Sequence, residues 1–208
     1  MAKTLQIESK KILAVEGLDE VNFFTALLKD LDITGVQIKD MGGKDKFPTR
    51  FEILSNQDGF DKLEQVGFVR DAEINQADSA FDSICGVLRK HNFPIPPKQN
   101  AVLQGAIQVG VFIMPDNVNP GMLEELCLET VKNKKIYQYI SAYIDIVQQY
   151  QQHDERLVFN EPKARVQTYL ASRAPIVNRL GEGALSGYWD FNHLCFDAIK
   201  EFLRTLFS

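Results

Sequence analysis

Acidic residues stand where the apolar runs of this chain end. Glu16 follows Ile12-Leu13-Ala14-Val15, and Asp71 and Glu73 follow Val66-Gly67-Phe68-Val69. Asp116 follows the run from Ala106 to Met114, with Glu124 and Glu125 shortly beyond it. Any one of them suits a helix N-terminus, where a carboxylate meets unpaired backbone N–H groups. Gathered at one edge of a sheet they would repel one another, and repulsion raises carboxyl pKa values unless a cation intervenes. All-oxygen clusters of this kind suit Mg²⁺ or Mn²⁺. Asp71 and Glu73, two residues apart, fall on the same side of an extended strand end, so a metal ion fits between them. Two such ions about 4 Å apart stabilise both the attacking and the leaving oxygen of a phosphodiester displacement, which makes phosphodiester hydrolysis the chemistry this pattern suggests.

The elements that must position these acids are legible from periodicity. Short apolar runs at 12–15, 36–38, 66–69 and 106–114 read as strands. Phe23, Phe24, Leu27, Leu28 and Leu31 recur at helical spacing behind Asp19 and Glu20, and helices are predicted also over 47–54, with Pro48 in the first turn, 77–89 and 121–131. Asn92 to Gln99, with three prolines, reads as an irregular connection. Strand and helix alternate, which points to an α/β domain with a mostly parallel sheet flanked by helices, over residues 1–132. The strand signal then stops. Helical spacing over 134–151, 163–173 and 191–207 makes residues 133–208 a helical C-terminal extension packed on that domain. In an open α/β sheet ligands bind beyond the carboxyl ends of the strands, the edge where the acids stand.

Several function classes drop out. With 23 Lys and Arg against 28 Asp and Glu, the net charge of -5 excludes a protein that coats nucleic acid through a general positive excess, but not an enzyme that meets phosphates through bound cations. Cys85, Cys127 and Cys195 lack metal-ligand spacing and read as buried thiols of a cytoplasmic protein. No run of 18 apolar residues is present, so no membrane-spanning helix is expected. Gly42-Gly43-Lys44-Asp45 lacks the spacing and the following Ser or Thr of a nucleotide-binding phosphate loop, and Gly181-Glu182-Gly183 misses the dinucleotide spacing. Lys44 and Lys46 flank a flexible turn that reads as a solvated loop able to touch a phosphate backbone. The three histidines are scattered and offer neither a zinc site nor a hydrolase triad.

The segment Val15-Glu16-Gly17-Leu18-Asp19-Glu20 on a strand-to-helix turn, with Phe68-Val69-Arg70-Asp71-Ala72-Glu73 on a later strand, resembles the TOPRIM (Rossmann-like) domain of topoisomerases, primases and certain nucleases. The order of motifs is similar to that of small proteins related to the nuclease domain of the OLD (overcoming lysogenization defect) family. The resemblance covers roughly residues 8–130 and implies Glu16 as general acid or base, with Asp71 and Glu73 binding Mg²⁺. It further implies metal ligation by Glu16 and Glu20, an acid in a Leu-Glu helix motif at Leu123-Glu124, and a charge-stabilising lysine for which Lys163 is the candidate. This chain has Asp-Ala-Glu where the family has Asp-x-Asp, and Glu20 where it has Asp; both changes keep an oxygen ligand and lengthen it. Glu16, Glu20, Asp71, Glu73, Glu124 and Glu125 together suffice to hold one or two ions.

The resemblance thus implies an Mg²⁺- or Mn²⁺-dependent nuclease acting on DNA or RNA, with a role in phage defence. The alternative is a non-catalytic interaction module that works with a separately encoded ATPase, since OLD-like relatives pair this domain with one. An exposed apolar face on a C-terminal helix is expected to support a homodimer.

Overall fold

The computed structural model describes residues 6–150 and 160–208. Four parallel strands and one antiparallel edge strand form a single sheet in the order β2-β1-β3-β5-β4. They are β1 (Lys11–Val15), β2 (Val36–Asp40), β3 (Gln65–Asp71), β4 (Val102–Leu103) and β5 (Gln108–Met114). The central strands read as unbroken apolar runs because both of their faces are covered. Leu13, Val15, Val69, Phe112 and Met114 enter one core layer, whereas Ile12, Ala14, Val66, Phe68, Val111 and Ile113 enter the other.

Helices α2 (Phe47–Ser55) and α3 (Ala77–Lys90) supply the second layer through Phe47, Phe51, Ile84 and Leu88. The first layer is built by α1 (Leu18–Asp30), α4 (Leu123–Glu129), α5 (Lys135–Tyr150), α6 (Glu161–Ala171), α7 (Leu180–Leu185) and α8 (Asp197–Phe207). The helices beyond residue 133 therefore share a core with the sheet. The exposed apolar face expected on one of them lies on α5, at Tyr139, Tyr143 and Ile146. Among the described residues, no helix is long and apolar enough to cross a membrane.

Two glycines make room for α8. Gly67 on β3 pairs with Gly110 on β5, so the sheet is bare where the last helix crosses it. A methyl group at Gly67 would stand 2.7 Å from Leu206 Cδ2, and one at Gly110 2.7 Å from Phe202 Cε2. Interiors packed this closely resist added volume. Gly110→Ala is accordingly expected to lower stability by about 1–3 kcal/mol, read as a lower urea midpoint at unchanged slope.

Three local features depart from the sequence reading. The last helix begins at Asp197 rather than Phe191, behind a 3-10 turn at Leu194–Phe196. Helix α7 has no counterpart in the sequence reading: it holds two glycines in six residues, a poor helix former alone. Tertiary packing supplies what propensity lacks, because Gly181 lets α7 lie directly on α1, where a methyl group would stand 2.2 Å from the Asp19 carbonyl oxygen. Strand β4 is only two residues long and falls in the connection after the proline-rich stretch. The helix predicted to reach Gln151 is described as far as Tyr150, and Gln151 lies outside the described residues.

Candidate active site

The carboxyl ends of β1 and β3, the first turn of α1 and the start of α4 converge at one edge of the sheet. The parallel register pairs Ala14 with Phe68, and continuing it two residues brings Glu16 beside Arg70. Arg70 Nε lies 3.1 Å from Glu16 Oε1, an ion pair whose N–H is not aligned as a hydrogen bond. Both side chains are largely buried, and Arg70 Nη1 also donates to Ser83 Oγ at 3.1 Å. Behind Glu16 lies an apolar pocket lined by Val15, Met41, Phe47, Phe68 and Ile84. Burial pushes the Glu16 carboxyl up to about 7; Glu20 and Glu73 add to the effect and Arg70 opposes it.

Asp71, the last residue of β3, is partly buried. Burial, followed by the charges of Glu16, Glu20 and Glu124, holds its pKa well above the ordinary carboxylate range. Leu123 N, at the start of α4, donates to Asp71 Oδ1 at 3.1 Å, so a helix N-terminus faces this carboxyl. Glu20 in the first turn of α1 is raised by burial, with Glu124 and Asp19 contributing. Glu124 in the first turn of α4 is raised by burial and restrained by Lys163, whose Nζ lies 3.9 Å from Glu124 Oε1. Lys163 comes from the first turn of α6, where its backbone N–H donates to the cap Asn160 Oδ1 at 3.1 Å. The helical extension thus delivers a cation to the carboxylate edge.

Glu73 sits differently from the strand-end picture. β3 stops at Asp71, and residue 73 adopts a left-handed φ of 58°, so the two acids do not project side by side from an extended strand. Reciprocal bonds with Gly121, Glu73 N to Gly121 O at 2.9 Å and Gly121 N to Glu73 O at 2.8 Å, hold this backbone. The Glu73 side chain turns to Lys44, with Nζ to Oε2 at 2.6 Å. Its charge still reaches Glu16.

Two other sequence candidates have local duties. Asp116 Oδ1 accepts from Val118 N at 3.0 Å and Asn119 N at 2.8 Å, which closes the turn after β5. Glu125 Oε2 accepts from Met122 N at 2.8 Å and caps α4. Arg70 and Asp19 are not among the sequence candidates, and Lys44 enters there only as a loop cation. Arg70 is visible in the sequence only as the residue between Val69 and Asp71, and its pairing needs the β1–β3 register. Asp19 accepts from Gly181 N at 3.2 Å and helps dock α7 beside the site.

Glu16, Glu20, Asp71 and Glu124 therefore come from three parts of the chain, and beyond the effect of burial the charges of the other three raise the pKa of Asp71. Among the described residues, Glu20 and Asp71 have no ion-pair partner, and no group of three or more His, Cys, Asp or Glu is gathered tightly enough to hold an ion as it stands. The donor set is all oxygen and carries more negative charge than Arg70 and Lys163 offset, which suits a hard divalent cation.

Solved structures of OLD-protein C-terminal regions are similar to this chain. The C-terminal region of the Burkholderia pseudomallei OLD protein superposes with a TM-score of 0.53 at 16% identity, over 97% of this chain and 100% of that one. The C-terminal region of the Xanthomonas campestris pv. campestris OLD protein gives 0.48 at 14% identity, over 96% of each chain. The first likeness shows the fold. No curated protein matches the chain. Residues 10–208 match the family DUF3226, described as a protein of unknown function, and the chain belongs to that family.

Proposed function

We propose that the protein is a TOPRIM-like nuclease that hydrolyses phosphodiester bonds in DNA or RNA with Mg²⁺ or Mn²⁺. One observation carries this reading: the partly buried carboxyls of Glu16, Glu20, Asp71 and Glu124 come together at the carboxyl edge of the sheet, where desolvation raises the pKa of each. Glu16, Glu20, Asp71, Glu73 and Glu124 would hold the ion or ions. When bound, such an ion polarises a phosphoryl oxygen and lowers the pKa of a bound water. Glu16, whose carboxyl is raised to about 7 in the metal-free protein, would serve as general acid or base. Lys163, beside Glu124, stabilises the negative charge that develops on the phosphoryl group.

A second reading has one observation in its favour. The likeness in fold to the C-terminal region of an OLD protein fits a chain that works with an ATPase, as an enzyme activated by it or as a non-catalytic module.

Nicking of supercoiled plasmid in Mn²⁺ tests the first reading. The purified chain is expected to convert supercoiled to open-circular DNA, and EDTA to stop the conversion. Cleavage that persists in EDTA would contradict metal dependence. Cleavage that appears only on adding a co-purifying ATPase would favour the second reading.

A further inference from the structure

Three cations each sit against one acid of the site: Arg70 on Glu16 at 3.1 Å, Lys44 on Glu73 at 2.6 Å and Lys163 on Glu124 at 3.9 Å. Their surroundings differ. The Arg70 side chain is 12% exposed and is also held by Ser83, so it is fixed within the wall of the site. The Lys44 and Lys163 side chains are 49% and 61% exposed and stand at its mouth.

The backbone under Lys44 is tightly constrained. Gly42 and Gly43 both hold left-handed φ values, 72° and 83°, which a side chain would strain. Gly43 N donates to Glu16 O at 2.7 Å and Gly42 N to Asp40 Oδ1 at 2.6 Å, so the loop after β2 is tied to the end of β1. On the other side Glu73, a non-glycine residue, is kept at a φ of 58° by its paired bonds to Gly121. Such a residue is strained and persists only where its surroundings enforce it. Two constrained backbones thus aim an ammonium group and a carboxylate at each other beside Glu16.

An exposed ion pair of this kind adds little to stability, too little to account for the strained backbone at Glu73. The pair makes sense as a charge held in reserve. With the acids free, Lys44 is neutralised by Glu73; with the acids engaged by a divalent cation, its charge becomes available to an anion.

We propose that Lys44 is a phosphate-binding residue, exchanging Glu73 for a backbone phosphate of a nucleic-acid strand that lies along the carboxyl edge between Lys44 and Lys163. This rests on the nuclease reading and names how its substrate is held. The Lys44 ammonium stands beside Glu73, past the end of β3, and the Lys163 ammonium beside Glu124 at the start of α4, so the two cations flank the acids from different elements. The arrangement also accounts for phosphate binding by a chain with a net charge of -5: the attractive charge is local and is uncovered only when the divalent cation is present. Substrate and cation then strengthen each other's binding, by reciprocity.

The full-length protein is tested with a short fluorescein-labelled single-stranded DNA in Ca²⁺, in place of Mn²⁺ to suppress cleavage. Anisotropy across a salt series reads DNA affinity, and calorimetry reads Ca²⁺ affinity. Lys44→Ala is expected to weaken DNA binding about tenfold and to lower the salt slope by about one, while Ca²⁺ binds as tightly or more tightly because Glu73 is released. Lys44→Arg retains most of the affinity. Lys10→Ala, which removes an exposed ion pair with Glu64 at the opposite end of the strands, leaves both unchanged. Unchanged DNA affinity and slope in Lys44→Ala, with Ca²⁺-dependent binding intact in the parent, would overturn the Lys44 assignment alone. Parallel loss of Ca²⁺ and DNA affinity would overturn it too, since Lys44 would then serve only to position Glu73. A parent protein that binds neither Ca²⁺ nor DNA removes the nuclease reading and this inference together.

Discussion

Asp71→Asn is expected to reduce Mn²⁺-dependent cleavage by about a thousandfold and, in the same protein without metal, to raise the midpoint of thermal unfolding at pH 8. The two effects have opposite signs because the site concentrates charge it cannot neutralise alone. Asp71 is largely desolvated and carries the repulsion of Glu16, Glu20 and Glu124, so its ionised form is costly in the folded protein. Asparagine has the same shape and keeps an oxygen to accept from Leu123 N, so the start of α4 stays in place. Removing the charge therefore relieves repulsion without opening a cavity, and a gain of a few degrees is expected. The lost activity follows from the lost ligand, since metal ions contribute several kcal/mol of charge stabilisation in the transition state. Differential scanning fluorimetry and plasmid nicking on one preparation read both. A variant that loses activity and stability together would mark Asp71 as a structural residue only.

Glu16→Gln should lower cleavage by at least about a hundredfold, the usual contribution of a general acid or base, and should flatten the pH dependence of stability. The folded protein holds this carboxyl at about 7 against an ordinary value of 4.5. A group whose pKa rises on folding binds more protons folded than unfolded. Its stabilising contribution is thus complete below about pH 4.5 and is lost as pH climbs through about 7. The side chain is one-fifth exposed, so solvent screening reduces the difference to roughly 2–3 kcal/mol. Urea unfolding of the metal-free protein at a series of pH values should show the parent falling across this window, with the Glu16→Gln variant nearly level there. An equal slope in both would mean that Glu16 ionises as in water.

The alternation of apolar runs with helical spacing makes the order of strands and helices along the chain readable, because a buried parallel strand must be apolar on both faces. Glu16 and Asp71 are legible for the same reason: the first acid after such a run stands at the sheet edge. What cannot be read depends on contacts distant in sequence. The left-handed backbone at Glu73 comes from its bridge to Gly121, and nothing local in Asp71-Ala72-Glu73 signals it. Arg70 and Lys44 acquire their partners only once β1, β2 and β3 are laid side by side. Helix α7 is set by the contact of Gly181 with α1, against the propensity of its own residues. Gly67 and Gly110 look like weak points in their strands until α8 is seen to fill the space above them.

Calorimetric titration of Mn²⁺ into the parent and Asp71→Asn proteins tests the carboxylate site most directly, because it needs neither a substrate nor a partner. Saturable binding in the parent that is abolished in the variant is the expected result, and at a hundredfold excess of ion over Kd it should add about 2.7 kcal/mol to the parent's stability. Equal Mn²⁺ affinity in the two proteins would contradict the account, for the cation would then be held somewhere other than among Glu16, Glu20, Asp71 and Glu124.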